Sequence, residues 1–450
     1  MAKASGARNI TEGVIWKQLL SFFFPILLGT FFQQMYNTVD TIIVGRFVGT
    51  QALAAVGSTG ALISLLNGFF VGLSSGATVL VSQFFGASDR SGVKNAVHTG
   101  IGLALVLGLL ITLLGLCFGP WILRIMKTPE DCLNGAVLYA RIFFSGAVAS
   151  MVYNMGTGIL RAMGDSKRPM IFLVITCFVN IFLDIFCVVV LKMGIAGAAV
   201  ATVLSQAISA VLVVRVLLRL PEEYALRLKQ IGLDPMLLKR ILAVGVPAGL
   251  QFVTFDLANL LIQSGINSFG SVTIAAFTAY AKADMLTWML SGAFGVAITT
   301  FVGQNYGAQK YDRIYKSVKI CLGMGIVLIG GCSAVIILFR HFILGIFSAD
   351  PEVIRLGAWL MLWVVPFNVI FVPVEIFAGA MRGTGYSVVP TLITCICVCV
   401  FRVLWLFVVV SRFHTLGMLM LCYPISWVLA DIAFCITYKR KKWLRTKTAS

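Results

Sequence analysis

A chain of 450 residues that is 59% hydrophobic and only 12% charged, with a mean hydropathy of +0.97, is not a water-soluble globule, since ordinary domains carry about 25% charged residues. Its net charge of +18 does not point to nucleic acid, because the basic residues lie between apolar runs. Those runs are continuous, whereas an outer-membrane barrel alternates in strands of about 10 residues, so the chain reads as an all-α polytopic membrane protein.

With roughly 20 apolar residues per crossing, twelve spans are predicted at 18–45, 53–82, 95–119, 136–159, 169–191, 195–219, 240–268, 273–301, 317–340, 356–379, 389–411 and 416–438. The first run outlasts a signal-peptide h-region and reaches polar Gln33, Gln34, Asn37 and Asp40 without a small-residue cleavage site, so it is read as a retained helix. Of 35 Lys and Arg, about 25 fall on the termini and alternate connections. These are Lys3, Arg8 and Lys17, Arg90 with Lys94, Arg161 with Lys167 and Arg168, Arg215 to Arg240, Lys310 to Lys319, Arg382, and Lys439 to Lys447. The opposite connections carry about eight, including Arg46, Lys127, Lys192, Arg355 and Arg412. The bias predicts a plasma (inner) membrane protein with both termini cytoplasmic, and therefore an even number of spans.

The longest polar stretch, Arg219 to Arg240, divides the chain into an N-terminal lobe (1–219), a linker (220–239), a C-terminal lobe (240–438) and a basic tail (439–450). Internal similarity supports the division. Ser82-Gln83-Phe84-Phe85-Gly86-Ala87 corresponds to Gly303-Gln304-Asn305-Tyr306-Gly307-Ala308, and 304 − 83 = 221. Gly158, Arg161, Gly164 and Pro169 correspond to Gly379, Arg382, Gly385 and Pro390, and 382 − 161 = 221 again. Pro25 and Pro247 open the paired first helices with a slip of one residue. Because each half has an even number of spans, the halves are parallel repeats related by a pseudo-twofold along the membrane normal, an architecture of transporters.

These residues resemble the multidrug and toxic compound extrusion (MATE) transporters. The likeness is carried by Asn37-Thr38-Val39-Asp40-Thr41-Ile42-Ile43-Val44-Gly45, Ala54-Ala55-Val56-Gly57, Gly303 to Ala308, and the Arg-x-x-Gly turns before Pro169 and Pro390. Asn180 with Asp184 is similar to the DinF-like and MepA-like bacterial branch rather than the NorM branch. The resemblance implies the MATE fold and an antiporter that exports organic, often cationic compounds against H⁺ or Na⁺. It also implies that Asp40, Asn154, Asn180, Asp184 and Thr202 bind the cation, with Tyr139 lining their site.

The residues read on their own lead to the same place. An ionisable group in hydrocarbon is costly enough to be a functional hypothesis, and the first lobe holds two, Asp40 and Asp184. Gln33, Asn37 and Asp40, with Tyr36, recur at helical spacing and are expected on one inward face; Asn180 and Asp184 are an i, i+4 pair. Thr202 and Asn154 come out at similar depth and add neutral oxygens, although either also fits simple interhelical packing. Two carboxylates with amide and hydroxyl oxygens suit Na⁺ or a shared proton as coupling ion, and the ligands do not discriminate between them.

Under the repeat offset, Asn154 maps onto Glu375, while Asn180 and Asp184 map onto Phe401 and Trp405, beside Arg402. A buried Glu375–Arg402 ion pair is therefore expected, locking the lobe or meeting substrate. Asp256, with Gln251, Asn259 and Gln263, gives its helix a polar side and resembles an acidic residue that some MATE members carry there. Lys282 and Asp284, two apart, do not face each other, and Asp431 reads as a local hydrogen-bonder. With Gln33, Gln34 and Met35, the residues Asp256, Gln263, Lys282, Glu375 and Arg402 are the candidate substrate-cavity set. Phe32 and Met155 are further wall candidates, since flexible Met and aromatic walls accept varied amphipathic cations.

The 11 Cys lie mostly inside apolar runs, as do Cys395, Cys397 and Cys399, and no Cys/His spacing suits a metal. His98, His341 and His414 fall near loop ends and are expected to be solvated. No phosphate-binding Gly-x-x-x-x-Gly-Lys-Ser/Thr loop occurs. The expected protein is a monomeric, non-enzymatic transporter of small organic molecules in a lipid bilayer, without cofactor and without nucleic acid. A lipid-linked sugar or lipid flippase of similar fold is the alternative; it calls for a strongly basic cavity, where only Lys282 and Arg402 are intramembrane positives.

Overall fold

A computed structural model describes residues 10–126 and 128–444. Lys3, Arg8, Lys127, Arg445 and Lys447, named above for their charge, lie outside these. The first set of helices is α1 (Ile15–Val48), α2 (Thr50–Gly86), α3 (Arg90–Ile125), α4 (Glu130–Ser145), α5 (Ala147–Ala162), α6 (Lys167–Val190) and α7 (Gly194–Leu218). After the linker come α8 (Pro235–Asn267), α9 (Ser271–Gly307), α10 (Tyr311–Leu338), α11 (Arg340–Phe347), α12 (Pro351–Val364), α13 (Asn368–Gly383), α14 (Val388–Phe413) and α15 (Leu416–Lys439). Eleven described spans are long and apolar enough to cross a membrane, taking α12 and α13 together as Pro351–Gly383, and twelve when α4 and α5, bent by 48°, also count as one. The helices outrun most predicted spans because composition senses only the hydrocarbon slab, about 30 Å thick. A 37-residue helix such as α2 is about 55 Å long.

The duplication reaches into the details. Shifting α2 by 221 residues reproduces the limits of α9. The break between α4 and α5 recurs between α12 and α13 as the 3-10 turn Val365–Phe367, where Pro366 contributes no N–H. The Phe144 carbonyl at the first break is taken up by the Thr112 hydroxyl at 2.9 Å, since a freed backbone acceptor in an apolar slab must find a donor. Left-handed turns repeat too, at Gly164 (φ 86°) and Gly385 (φ 88°), where a Cβ would be strained.

The described residues form two compact units. One is built on Phe24–Gly249, the other on Thr11–Phe23 together with Leu250 onward. The first stretches of α1 and α8 thus group away from the remainder of their own helices, and each changeover falls beside a proline within the helix, Pro25 or Pro247. In the first unit, Ala77, Val81, Val93, Met151, Met155, Ile159 and Val213 form a fully buried core, which places Met155 in packing rather than on a cavity wall. There α2 and α8 meet through Gly72, Gly76, Gly245 and Gly249: a Cβ at Gly72 would stand 2.3 Å from the Gly249 Cα, and one at Gly76 would stand 2.2 Å from the Ile241 carbonyl. Small residues at four-residue spacing are how helices approach closely where burial from water provides no drive.

His98 departs from the solvated expectation. It is buried (5% exposed) because the linker folds over α3: its Nδ1 donates to the Lys94 carbonyl at 2.6 Å and its Nε2 accepts from the Arg227 N–H at 2.9 Å. His341 and His414 are exposed, His414 stacking on Phe269 with ring centroids 4.8 Å apart.

Overpacking a core typically costs about 1–3 kcal/mol, and more against rigid backbone. Gly76→Leu is therefore expected to abolish the monodisperse peak in detergent size-exclusion chromatography. Gly60→Ala, which meets nothing within 4 Å, is expected to leave the peak unchanged.

Candidate functional site

Four helices of the first unit bring the acids together. Asp40 on α1 is 8% exposed and Asp184 on α6 is fully buried, as is Asn180 one turn before it. The charges of Asp40 and Asp184 act on one another and on the hydroxyls of Tyr36 and Tyr139. Gln33 hydrogen-bonds Tyr36. On α7 the Thr202 hydroxyl donates to the Ala198 carbonyl at 3.0 Å and stands beside the Tyr139 hydroxyl. Both Asp184 oxygens, Oδ1 of Asp40 and both polar atoms of the Asn180 side chain have no hydrogen-bond partner within the protein. Two carboxylates and an amide without donors form an oxygen cluster that fits a proton or a hard cation, and leaving them bare and charged would cost several kcal/mol per ion.

Local backbone form places these side chains. Both α1 and α6 wind into π-turns just past the acids, at Val44–Val48 and Ile185–Val190, a feature concentrated at functional sites. The turns pack on each other, and Ile43, Val44, Val188, Ala198 and Ala199 close around Tyr139 as an apolar plug.

Away from the plug a narrow cavity of about 60 Å³ runs along α5, α6 and α7, lined by Tyr36, Asn154, Thr176, Asn180, Thr202 and Gln206, among others. Asn154 is half-buried there, its Nδ2 donating to the Ser150 carbonyl at 2.9 Å. Ser150, Tyr153, Thr176, Ser205, Gln206 and Ser209 also line this space and escaped the sequence reading. Their spacing was the available signal: 150, 153 and 154 on α5, and 202, 205, 206 and 209 on α7, each mark one helix face. At the turn after α5, burial holds the Asp165 carboxyl above the usual carboxylate range against the pull of Arg168, whose Nε lies 3.4 Å away.

Not every predicted residue joins. Asn37 is exposed and donates to the Gln34 side chain at 3.3 Å; at about 100° per residue it stands roughly 60° from Asp40, on the side opposite Tyr36. Gln34 and Met35 are half-buried outside the cavity, and Phe32 leans on Phe178 with centroids 6.4 Å apart.

In the second unit the expected Glu375–Arg402 ion pair does not form. The charge acting on Glu375 is that of Arg382, two turns along α13. Arg402, 1% exposed, donates from Nε to the Ser426 hydroxyl at 3.0 Å. Its guanidinium lies over the rings of Tyr423 (4.3 Å), Trp427 (5.7 Å) and Phe255 (5.8 Å). One position beyond the Asn180 counterpart, it leaves α14 about 100° away from that face, toward α15. The well-satisfied acid of this unit is Asp284, which accepts from Asn368 Nδ2 (2.6 Å), Trp288 Nε1 (2.9 Å), Tyr280 (3.4 Å) and Thr287. Lys282 is exposed, and Asp256 and Gln263 are half-buried, Gln263 donating to Asn267 at 3.0 Å. Asp431, read as a local hydrogen-bonder, keeps a buried Oδ1 with no partner.

A duplicated set of apolar helices with acids buried inside it defines a class of membrane transporter. The MatE family model matches residues 25–186 and again 247–408, and the chain belongs to this family, the MATE multidrug efflux transporters. It is 30% identical to the probable multidrug resistance protein YoeA of Bacillus subtilis, over 84% of each chain. It is 27% identical to the probable multidrug resistance protein NorM of Thermotoga maritima, over 94% of this chain and 91% of that one. A solved structure described as the outward-facing conformation of a multidrug resistance MATE family transporter matches with a TM-score of 0.91 at 24% identity, over 98% of this chain and 99% of that one.

Asp284 satisfies donors on two helices, α9 and α13, and stranding buried donors costs about 1–3 kcal/mol in total per partner lost. Asp284→Ala is expected to lower the melting temperature in detergent clearly more than Asp284→Asn, which keeps an acceptor. Equal melting curves for the two variants would contradict the role of this cluster as a structural tie.

Proposed function

We propose that this transporter is a secondary active antiporter that exports organic, often cationic and amphipathic molecules in exchange for H⁺ or Na⁺ by alternating access. The observation that carries this reading is the buried pair Asp40 and Asp184, mutually interacting and without protein donors. Such a pair is stable only when a proton or cation neutralises it, so its occupancy is tied to conformation. Asn154, Asn180 and Thr202 complete the ion site, and Tyr36 and Tyr139 line it. Ion entry relieves the repulsion and lets the apolar plug close, while ion loss restores a charge that favours uptake of cationic cargo.

The relatives named as multidrug resistance proteins support the substrate class. The distribution of Lys and Arg supports the orientation, with both termini cytoplasmic in the plasma (inner) membrane. On this reading the protein acts as a monomer on small organic molecules, with H⁺ or Na⁺ as coupling ion and no other cofactor.

In everted vesicles, efflux of a fluorescent cation is expected to collapse with the ion gradient and to fall to the gradient-free background in Asp40→Asn and Asp184→Asn. Both variants are expected to keep normal expression and a normal size-exclusion profile. Full gradient-driven efflux by both single variants would sink the assignment.

A further inference from the structure

The faces that the second unit leaves uncovered fall into two kinds. On α14 the exposed residues include Leu392, Ile396, Val400, Leu404, Phe407 and Val408, a row of large apolar side chains suited to acyl chains. On α9 the exposed residues between Ala275 and Gly292 are Ala275, Thr278, Ala281, Lys282, Leu286 and Gly292. At about 100° per residue these six fall within about 140° of arc, on one side of the helix. All but Leu286 are small or polar. A Cβ added at Gly292 meets nothing within 4 Å, so the stripe offers lipid little to pack against and leaves room beside the helix.

Lys282 stands in this stripe, at a depth that excludes a headgroup contact. From the start of its span at 273 it is 282 − 273 = 9 residues in, about 14 Å at 1.5 Å per residue, near the middle of a hydrocarbon core about 30 Å thick. A charge at that depth is turned toward a water-filled space, since a four-carbon stem does not carry it to the surface. Among the described residues no carboxylate forms an ion pair with Lys282. Asp284, two positions on, is turned inward, where Tyr280, Thr287, Trp288 and Asn368 supply its donors. Thr278, one turn before, donates its hydroxyl to the Ile274 carbonyl at 2.8 Å, which leaves the ammonium as the donor that this side of α9 offers to a molecule outside the protein. The first unit has the stripe without the charge: Ala54, Gly57, Gly60 and Ser64 are exposed on α2, and 282 − 221 = 61 falls on Ala61.

We infer that Lys282 is a specificity-determining residue that binds a carboxylate of the exported molecule, so that the cargo includes amphipathic zwitterions. This rests on the reading of the protein as an ion-driven exporter of organic molecules. An ammonium is a point charge with three rotatable donors, and its bonds to a carboxylate are charge-assisted. In a partly dehydrated space the attraction exceeds its value in bulk water. The small residues Ala275, Ala281 and Gly292 leave space for a flat organic body along the helix, more than a small inorganic anion needs, and Leu286 gives that body an apolar contact. Cargo that is only positive meets repulsion here. Cargo with a carboxylate within reach turns the same charge into an anchor, and selectivity is the difference between the two.

The test uses the full-length protein in vesicles and two dyes of one scaffold: rhodamine B, a zwitterion with a free carboxylate, and its ethyl ester, a plain cation. The readout is the ratio of their initial gradient-driven efflux rates, zwitterion over ester, in which differences in folding and expression cancel. Lys282→Gln is expected to lower this ratio about tenfold or more, the size of one charge-assisted hydrogen bond, with ester efflux unchanged or raised. Lys282→Arg is expected to keep most of the ratio. An unchanged ratio in Lys282→Gln would overturn the inference, whether both dyes keep their rates or both fall together as for a structural lysine. Export of the ester but not of rhodamine B by the unaltered protein would overturn it too. Failure of the underlying reading appears separately, as ester efflux from the unaltered protein that is absent or that survives collapse of both the H⁺ and the Na⁺ gradient. In that event the ratio of the two dyes' affinities for the purified protein, read by fluorescence polarisation, decides the role of Lys282 by the same criterion.

Discussion

The organising constraint is the cost of burying two carboxylates while Asp40 Oδ1 and both Asp184 oxygens lack hydrogen-bond partners in the protein. Asp40 and Asp184 have been denied the hydrogen bonds that buried acids normally collect, and Asp284 in the other unit demonstrates what the fold provides when an acid is meant to stay put: donors from Tyr280, Thr287, Trp288 and Asn368. The contrast separates an acid tied down by fixed amides and hydroxyls from a pair left without them.

Duplication supplies the frame and divergence supplies the chemistry. The two units share helix limits, breaks and left-handed turns at one offset. Yet where the first unit carries Asn180 and Asp184, the second carries Phe401 and Trp405, and the neighbouring Arg402 is wrapped in aromatic rings. A guanidinium over π faces is held by ring quadrupoles without any carboxylate partner, so its burial gives no exchangeable site.

Much of this was legible in the sequence because the membrane imposes strong rules. Span number follows from the length of apolar runs, the repeat follows from recurring Gly, Arg and Pro, and the acids stand out since charge in hydrocarbon is rare. What composition leaves open is rotation and depth. Asn37 lies only three residues from Asp40, yet that angle turns it out of the site. Glu375 and Arg402 map to neighbouring positions and still point apart. His98 looked like a loop-end residue because nothing local reveals that a linker 129 residues later closes over it. The helix break between α4 and α5 carries no proline, and its satisfaction by Thr112 is a tertiary event with no local signature.

The changeover at Pro25 and Pro247 has a bearing on how the polypeptide matures. Since Thr11–Phe23 belongs with the later half and Pro235–Gly249 with the earlier one, severing the linker yields fragments that each lack a stretch of helix needed to finish their own packing. Neither half is complete when the ribosome has finished it. The earlier half completes its packing only once the start of α8 has been made, and residues 11–23 meet their partners only with α9 and α10, through Phe23 stacked on Phe294 and Arg313 donating to the carbonyls of Glu12 and Gly13.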